Sequence, residues 1–150
     1  MIFLGLDPGQ SGGLAVLWPD GRAAAWPWPE TERDVYDLLH EHAGVGQMGI
    51  RAVIEDVHSF PGQGVASTFK FGRHYGTLRA FLVALGIAFV AVQPHVWQRA
   101  FGFPRKASGA TAKKNAHKAR AQELYPALRV THATADALLI AEWLRTKEET

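Results

Sequence analysis

An apolar run, Ile2 to Leu6, ends in a single charge, Asp7, and then in the turn sequence Pro8-Gly9-Gln10-Ser11-Gly12-Gly13. A short uncharged run bounded by turn residues reads as a buried strand. Leu14 to Trp18 reads as a second strand returning beside it. This stretch constrains the fold more than any other, because it sets a carboxylate at the tip of a buried strand. Dehydrating that group is costly unless something cationic meets it. The glycines let backbone or ligand come close. A turn-initiating aspartate accounts for Asp-Pro-Gly taken alone, so the decision rests on the residues downstream.

Those residues alternate between strand and helix patterns. Pro19-Asp20-Gly21 is a second turn, and Arg22 to Trp26 a third strand that the prolines at 27 and 29 end. Thr31 caps a helix with an apolar stripe of Val35, Leu38 and Leu39, ending near Gly44. Arg51 to Val57 is a fourth strand. It carries adjacent acids, Glu55 and Asp56, which must point to opposite faces and cannot serve one site. After a loop from Ser59 to Gly64 comes a long helical pattern from Val65 to Leu85, with Gly72 and Gly76 on one face. Each of those glycines costs roughly 1 kcal/mol against alanine, which close approach of another helix or backbone would offset. Ile87 to Val92 is a fifth strand, Pro94 to Phe101 a short helical turn, and Gly102 to Gly109 a basic loop. Lys113 to Tyr125 and Thr131 to Arg145 complete the pattern as helices. The order predicts an α/β fold, a mixed five-stranded sheet with helices on its faces. At 150 residues it forms a single domain, residues 1–150.

Composition bounds the chemistry. There is no cysteine, which excludes a disulfide framework and cysteine-ligated zinc or iron–sulfur sites and suits a reducing cytoplasm. No basic leader precedes the first strand, and the longest apolar stretch, Phe81 to Val92, is too short to span a bilayer. A cytoplasmic protein with no membrane association is expected. The net charge is only +2, but it is unevenly placed. Arg99, Arg105, Lys106, Lys113, Lys114, Lys118 and Arg120 fall in a stretch without a single acid. Such a block serves either as a solvated helix face or as the docking surface for a polyanion.

Three acids stand at comparable places: Asp7 at the end of the first strand, Glu55 at the end of the fourth, and Asp136 in the first turns of the last helix. With Thr131 as N-cap, His132 lies at the first helical position and shares a face with Asp136, Leu139 and Ile140. A helix-dipole role explains Asp136 alone, and a capping or surface role explains His132 alone. Together the set offers oxygen ligands for a hard cation such as Mg2+ or Mn2+. Two such ions activate water and stabilise the leaving oxygen in phosphodiester hydrolysis. No Gly-x-Ser-x-Gly elbow supports a serine mechanism.

The sequences Leu4-Gly5-Leu6-Asp7-Pro8-Gly9, Ile54-Glu55-Asp56-Val57, Phe69-Lys70-Phe71-Gly72 and Ala135-Asp136-Ala137-Leu138 resemble, in order and spacing, the RuvC family of Holliday-junction resolvases, its short phage-type members above all. The resemblance implies an RNase H-like fold. It also implies a homodimer that nicks a four-way DNA junction symmetrically, in recombination and repair, with two Mg2+ or Mn2+ ions per active site. Carried over by position, Asp7, Glu55 and Asp136 are metal ligands. His132 takes the place of a further ligand, four residues before the aspartate as in the phage type; in the bacterial housekeeping type that place falls on Ala133. An imidazole there suits Mn2+ at least as well as Mg2+, or acts as general base. His58 or Phe60 replaces an aromatic residue that stacks at the junction centre. Lys113, Lys114 and Lys118 lie where the family has lysines near the scissile phosphate, Lys118 being taken as catalytic. Arg73, Arg105 and Lys106 are expected DNA-backbone contacts. A two-fold junction is read economically by a two-fold dimer, with the helix carrying Gly72 and Gly76 as its interface. The implied setting is the cytoplasm of a bacterial or phage-infected cell.

Three other readings fit parts of the pattern. The Asp7 turn also resembles the first phosphate loop of sugar kinases and actin-like ATPases, which need two such domains. A non-catalytic junction-binding module would keep the basic block and lose the metal site, against which stand the acids retained at all three positions. A nuclease of the same fold acting on other branched DNA or on RNA–DNA hybrids would keep both.

Overall fold

The computed structural model describes residues 1–43, 49–106 and 109–150. The expected end of the first helix at Gly44, and part of the basic loop, lie outside the described residues. Five strands form one mixed sheet in the order β3-β2-β1-β4-β5. They are β1 (Ile2–Leu6), β2 (Gly13–Leu17), β3 (Ala23–Pro27), β4 (Ile50–Glu55) and β5 (Ala88–Val92). The first three are antiparallel neighbours, while β4 runs parallel to β1 and β5 parallel to β4. Parallel strands need crossover helices, and α1 (Glu32–Ala43) and α2 (Val65–Ala84) supply them. Then follow α3 (Pro94–Ala100), α4 (Ala110–Leu124) and α5 (His132–Glu148).

Strand alternation divides the core in two. Leu4 and Leu6 of β1, Leu14 and Val16 of β2 and Ile54 of β4 pack under α1 and α2, against Val35, Leu39, Leu78 and Leu82. Phe3 of β1, Ala15 and Leu17 of β2 and Val53 of β4 face the other way, toward α3, α4 and α5. Leu138, Leu139, Ile140 and Leu144 of α5 are buried there, and each such side chain contributes about 1.5–3 kcal/mol.

The seating of α5 depends on Gly5. A Cβ at that position would run into the Ala137 carbonyl and lie 2.8 Å from the Ala141 amide nitrogen. Glycine in the strand and alanine in the helix therefore let α5 rest directly on β1. Ahead of α5, Gln122 ties the connection from α4. Its amide donates to the carbonyls of Tyr125 (3.2 Å) and Leu128 (2.7 Å), and its oxygen accepts from the Val130 N–H. Thr131 is the N-cap, its N–H donating to Thr134 Oγ1 at 3.1 Å.

Boundaries differ from the sequence reading by two residues or more at three places, one of them the end of α5, which runs to Glu148, three residues past Arg145. β4 stops at Glu55, two residues before Val57. α4 begins at Ala110, three residues before Lys113. Gly109, at φ +128°, marks the break, and Ala-Thr-Ala can begin a helix without help from the lysines.

Candidate active site

Register alone brings two of the acids together. In the β1–β4 ladder Leu6 is the partner of Ile54, so the next residues along are Asp7 and Glu55. Parallel pairing puts both at the same edge of the sheet, beyond the carboxyl ends of the strands, where open α/β sheets hold their ligands. Alternation gives them the same face: Asp7 continues Phe3 and Gly5, and Glu55 continues Val53. Asp56 takes the opposite face and accepts a hydrogen bond from the Tyr75 hydroxyl of α2 at 3.1 Å. The third acid, Asp136, arrives on α5, one residue before the Ala137 carbonyl that crosses Gly5.

The electrostatics record this convergence. Burial pushes the Asp7 carboxyl well above its ordinary range, the charges of Glu55 and Asp136 push it further, and Lys114 opposes them. Burial raises Glu55 to about 7; a hydrogen bond from Trp97 and the charge of Lys113 oppose the rise, and Asp136 adds to it. Lys113 and Lys114 are thus the α4 cations that act on the acids. Lys118 is exposed, one residue beyond the buried His117.

The Asp7 turn is fixed from outside the strand. The Trp28 indole donates to the Asp7 carbonyl at 2.6 Å, and the Gly9 N–H donates to His74 Nδ1 of α2 at 2.9 Å. Gly9 has φ +102°, a conformation that side chains disfavour. Burial holds the His74 imidazole below its usual pKa, in keeping with an unprotonated Nδ1 that accepts. Behind this turn lies a cavity of about 590 Å3, lined among others by Gln10, Trp28, Lys70, Arg73 and His74.

Two residues that the sequence reading did not single out complete the site. Trp97 of α3 donates its indole N–H to Glu55 Oε1 at 2.8 Å. His117 of α4 places Nδ1 2.8 Å from Asp136 Oδ1. Neither has a motif around it; His117 in particular is lost in a run of lysines and alanines. A polar residue at the buried face of an otherwise exposed basic helix was the available signal.

His132 is not drawn into this group. It is exposed at the start of α5, with Nε2 2.9 Å from Asn115 Oδ1. Nor do the acids enclose an ion as they stand: among the described residues no three His, Asp or Glu side chains are grouped closely enough to hold a metal. One oxygen of Glu55 and one of Asp136 are turned onto Trp97 and His117 instead. The remaining expected DNA contacts are placed as follows. His58 and Phe60 are exposed in the loop after β4, with His58 Nε2 3.6 Å from Asp56 Oδ2. Arg73 Nε is 3.5 Å from Glu32 Oε1. Arg105 is exposed. Lys106 and Lys113 line a second cavity of about 280 Å3 with Phe103 and His117.

The central parallel pair, the antiparallel hairpin and the acid-bearing final helix define an RNase H-like fold. Among solved structures the chain is similar to RuvC of Thermus thermophilus, with a TM-score of 0.62 and 19% identity over 98% of this chain and 97% of that one. It is also similar to the same organism's RuvC in complex with a Holliday junction substrate, with a TM-score of 0.61 and 16% identity over 94% and 90%. No family model and no curated protein matches the sequence.

Proposed function

We propose that this chain is a metal-dependent, structure-selective DNA endonuclease that resolves four-way junctions by symmetric nicking. The observation that carries the reading is the meeting of Asp7, Glu55 and Asp136 at one sheet edge, in a fold similar to that of a protein solved with a Holliday junction substrate. The donors fit a hard divalent cation, being carboxylate oxygens without sulfur. The raised pKa values of Asp7 and Glu55 express burial together with a local excess of negative charge that a cation relieves. Asp7, Glu55 and Asp136 would hold Mg2+ or Mn2+, two ions per site; such ions supply an activated water and stabilise a leaving oxygen. In this reading His132 stays outside the ligand set.

The chain's own residues bind and orient the substrate. Lys113 and Lys114 meet a phosphate beside the acids, with Lys118 farther along the same helix. Arg105, Lys106 and Arg73 contact the DNA backbone on either side. His58 and Phe60 offer flat rings to an unstacked base. Trp28 and His74 keep the Asp7 turn from moving when DNA arrives. Pairing of the nicks calls for a homodimer, through the face of α2 that carries Gly72 and Gly76. A Cβ at either glycine would meet nothing within 4 Å, and Val83 is 70% exposed nearby along the helix. Among the described residues no helix is long and apolar enough to cross a membrane; the proposed setting is the cytoplasm.

The test is cleavage of a labelled synthetic four-way junction beside matched duplex, flap and RNA–DNA hybrid, with Mg2+, Mn2+ or EDTA. Paired symmetric nicks on the junction alone, lost in EDTA, are expected. Asp7→Asn, Glu55→Gln and Asp136→Asn should each abolish cutting and leave junction binding in place. Cutting of flaps or hybrids instead would move the proposal to another branched or hybrid substrate. Normal cutting by Asp7→Asn would remove the metal site from it altogether.

A further inference from the structure

We infer that Trp97 and His117 are positioning residues which, as one aromatic block, each fix one oxygen of a metal-binding carboxylate and leave the other for the ion. The inference rests on the reading of Asp7, Glu55 and Asp136 as ligands of a divalent cation.

Both side chains are fully enclosed: Trp97 is 0% and His117 2% exposed. At such positions leucine or phenylalanine would fill the space with no demand for a partner. A buried indole N–H or imidazole N–H needs one. Each finds it on an acid of the cluster, Trp97 on Glu55 Oε1 and His117 on Asp136 Oδ1, both at 2.8 Å. The two rings also touch each other edge-on, with centroids 5.1 Å apart. Phe103 lies 4.4 Å from the His117 ring and Phe101 6.4 Å from that of Trp97. The block spans α3, the loop after it and α4, so carboxylates from β4 and from α5 are held by one body. Double support of this kind sets the angle at which a carboxylate presents its remaining oxygen, and ligand partners of that sort commonly govern metal affinity.

The tautomer separates positioning from proton transfer. To donate to a carboxylate, His117 carries its proton on Nδ1. The other ring nitrogen, Nε2, is sealed from solvent with no partner among the described residues. A general base must reach the water it deprotonates, and this nitrogen does not. His117 therefore acts through Asp136.

Calorimetric titration of the purified protein with MnCl2, without DNA, tests this. Folding of each variant is checked by circular dichroism and melting. His117→Leu and Trp97→Phe should each weaken Mn2+ binding about 10–100-fold. Junction cleavage should return to both as Mn2+ is raised. His117→Asn, whose amide N–H can reach the place of Nδ1, should recover most of the affinity that His117→Leu loses. Wild-type affinity in Trp97→Phe and His117→Leu would overturn the inference, as would a His117→Asn no better than His117→Leu. If His117→Leu fails to fold, Trp97→Phe decides alone, because it keeps an aromatic ring at the site while removing the N–H donor. A wild-type protein that binds no Mn2+, or whose binding survives Asp136→Asn, would overturn the ligand reading itself and the inference with it.

Discussion

Glu55 ends β4 almost wholly enclosed, with its ionised form disfavoured up to about pH 7. A carboxyl raised in the folded state and ordinary in the unfolded chain favours folding in full below the unfolded pKa. That advantage is lost as pH rises through the folded value. The window therefore runs from about 4.5 to about 7, and a shift of that size corresponds to roughly 3 kcal/mol. Metal-free protein should lose melting temperature across this window. Glu55→Gln should remove much of the loss: near-equal stability at pH 4, clearly higher than wild type at pH 8, measured by thermal melts in EDTA. Adding Mg2+ at pH 8 should stabilise wild type and do little for Glu55→Gln. Asp7, raised in the same direction, keeps part of the pH dependence in the variant. Asp7, Glu55 and Asp136 were legible in the sequence because each ends or begins a recognisable pattern. Alternation also separated Glu55 from Asp56 correctly. Trp97 and His117 were not, because their partners lie 42 and 19 residues away and a helix carries no mark of which residue will meet a carboxylate across a gap.

At the scale of elements, the fit of α5 on β1 leaves no room for a side chain at Gly5. Gly5→Ala puts a methyl group against the Ala137 carbonyl and the Ala141 amide. Overpacking of this kind typically costs about 1–3 kcal/mol. Urea unfolding of Gly5→Ala should show a lower midpoint with an unchanged slope. Junction cleavage should fall as well, because Asp136 is carried by the displaced helix. The helix α4 makes a separate prediction. Lys113 and Lys114 oppose the raised pKa values of Glu55 and Asp7, so their alanine variants should lower cleavage more than Lys118→Ala does at equal DNA occupancy, in single-turnover assays. Element types and order were readable from apolar period and turn residues. The strand order was not: that β1 lies between β2 and β4 follows from pairings between distant segments, which no local pattern encodes.

For the whole molecule, the open question is the exposed face of α2. Gly72, Gly76 and Ala80 leave that face nearly flat, and a shallow hollow beside it is lined by Gly76, Arg79, Ala80, Val83, Ala84 and Phe89. Gly76→Arg adds bulk where nothing stands within 4 Å, and replacing glycine inside a helix should raise monomer stability by up to about 1 kcal/mol. A loss of dimer in that variant therefore could not be ascribed to unfolding. Sedimentation should show a monomer, and junction cleavage should fall to single, unpaired nicks. A dimer of wild-type strength would place the interface elsewhere.

The seat of Asp136 also sets an order of events. The parallel neighbour of β1 lies beyond α1 in the chain, and α5, which packs on the same strand, is the last element. Contacts of such long range form late, since the chain between them must first be brought to order. Until α5 docks, Asp7 and Glu55 stand without their third carboxylate. On the proposed reading, a partly folded or still-growing chain would lack the complete ligand set, and competence would come only with the docking of α5.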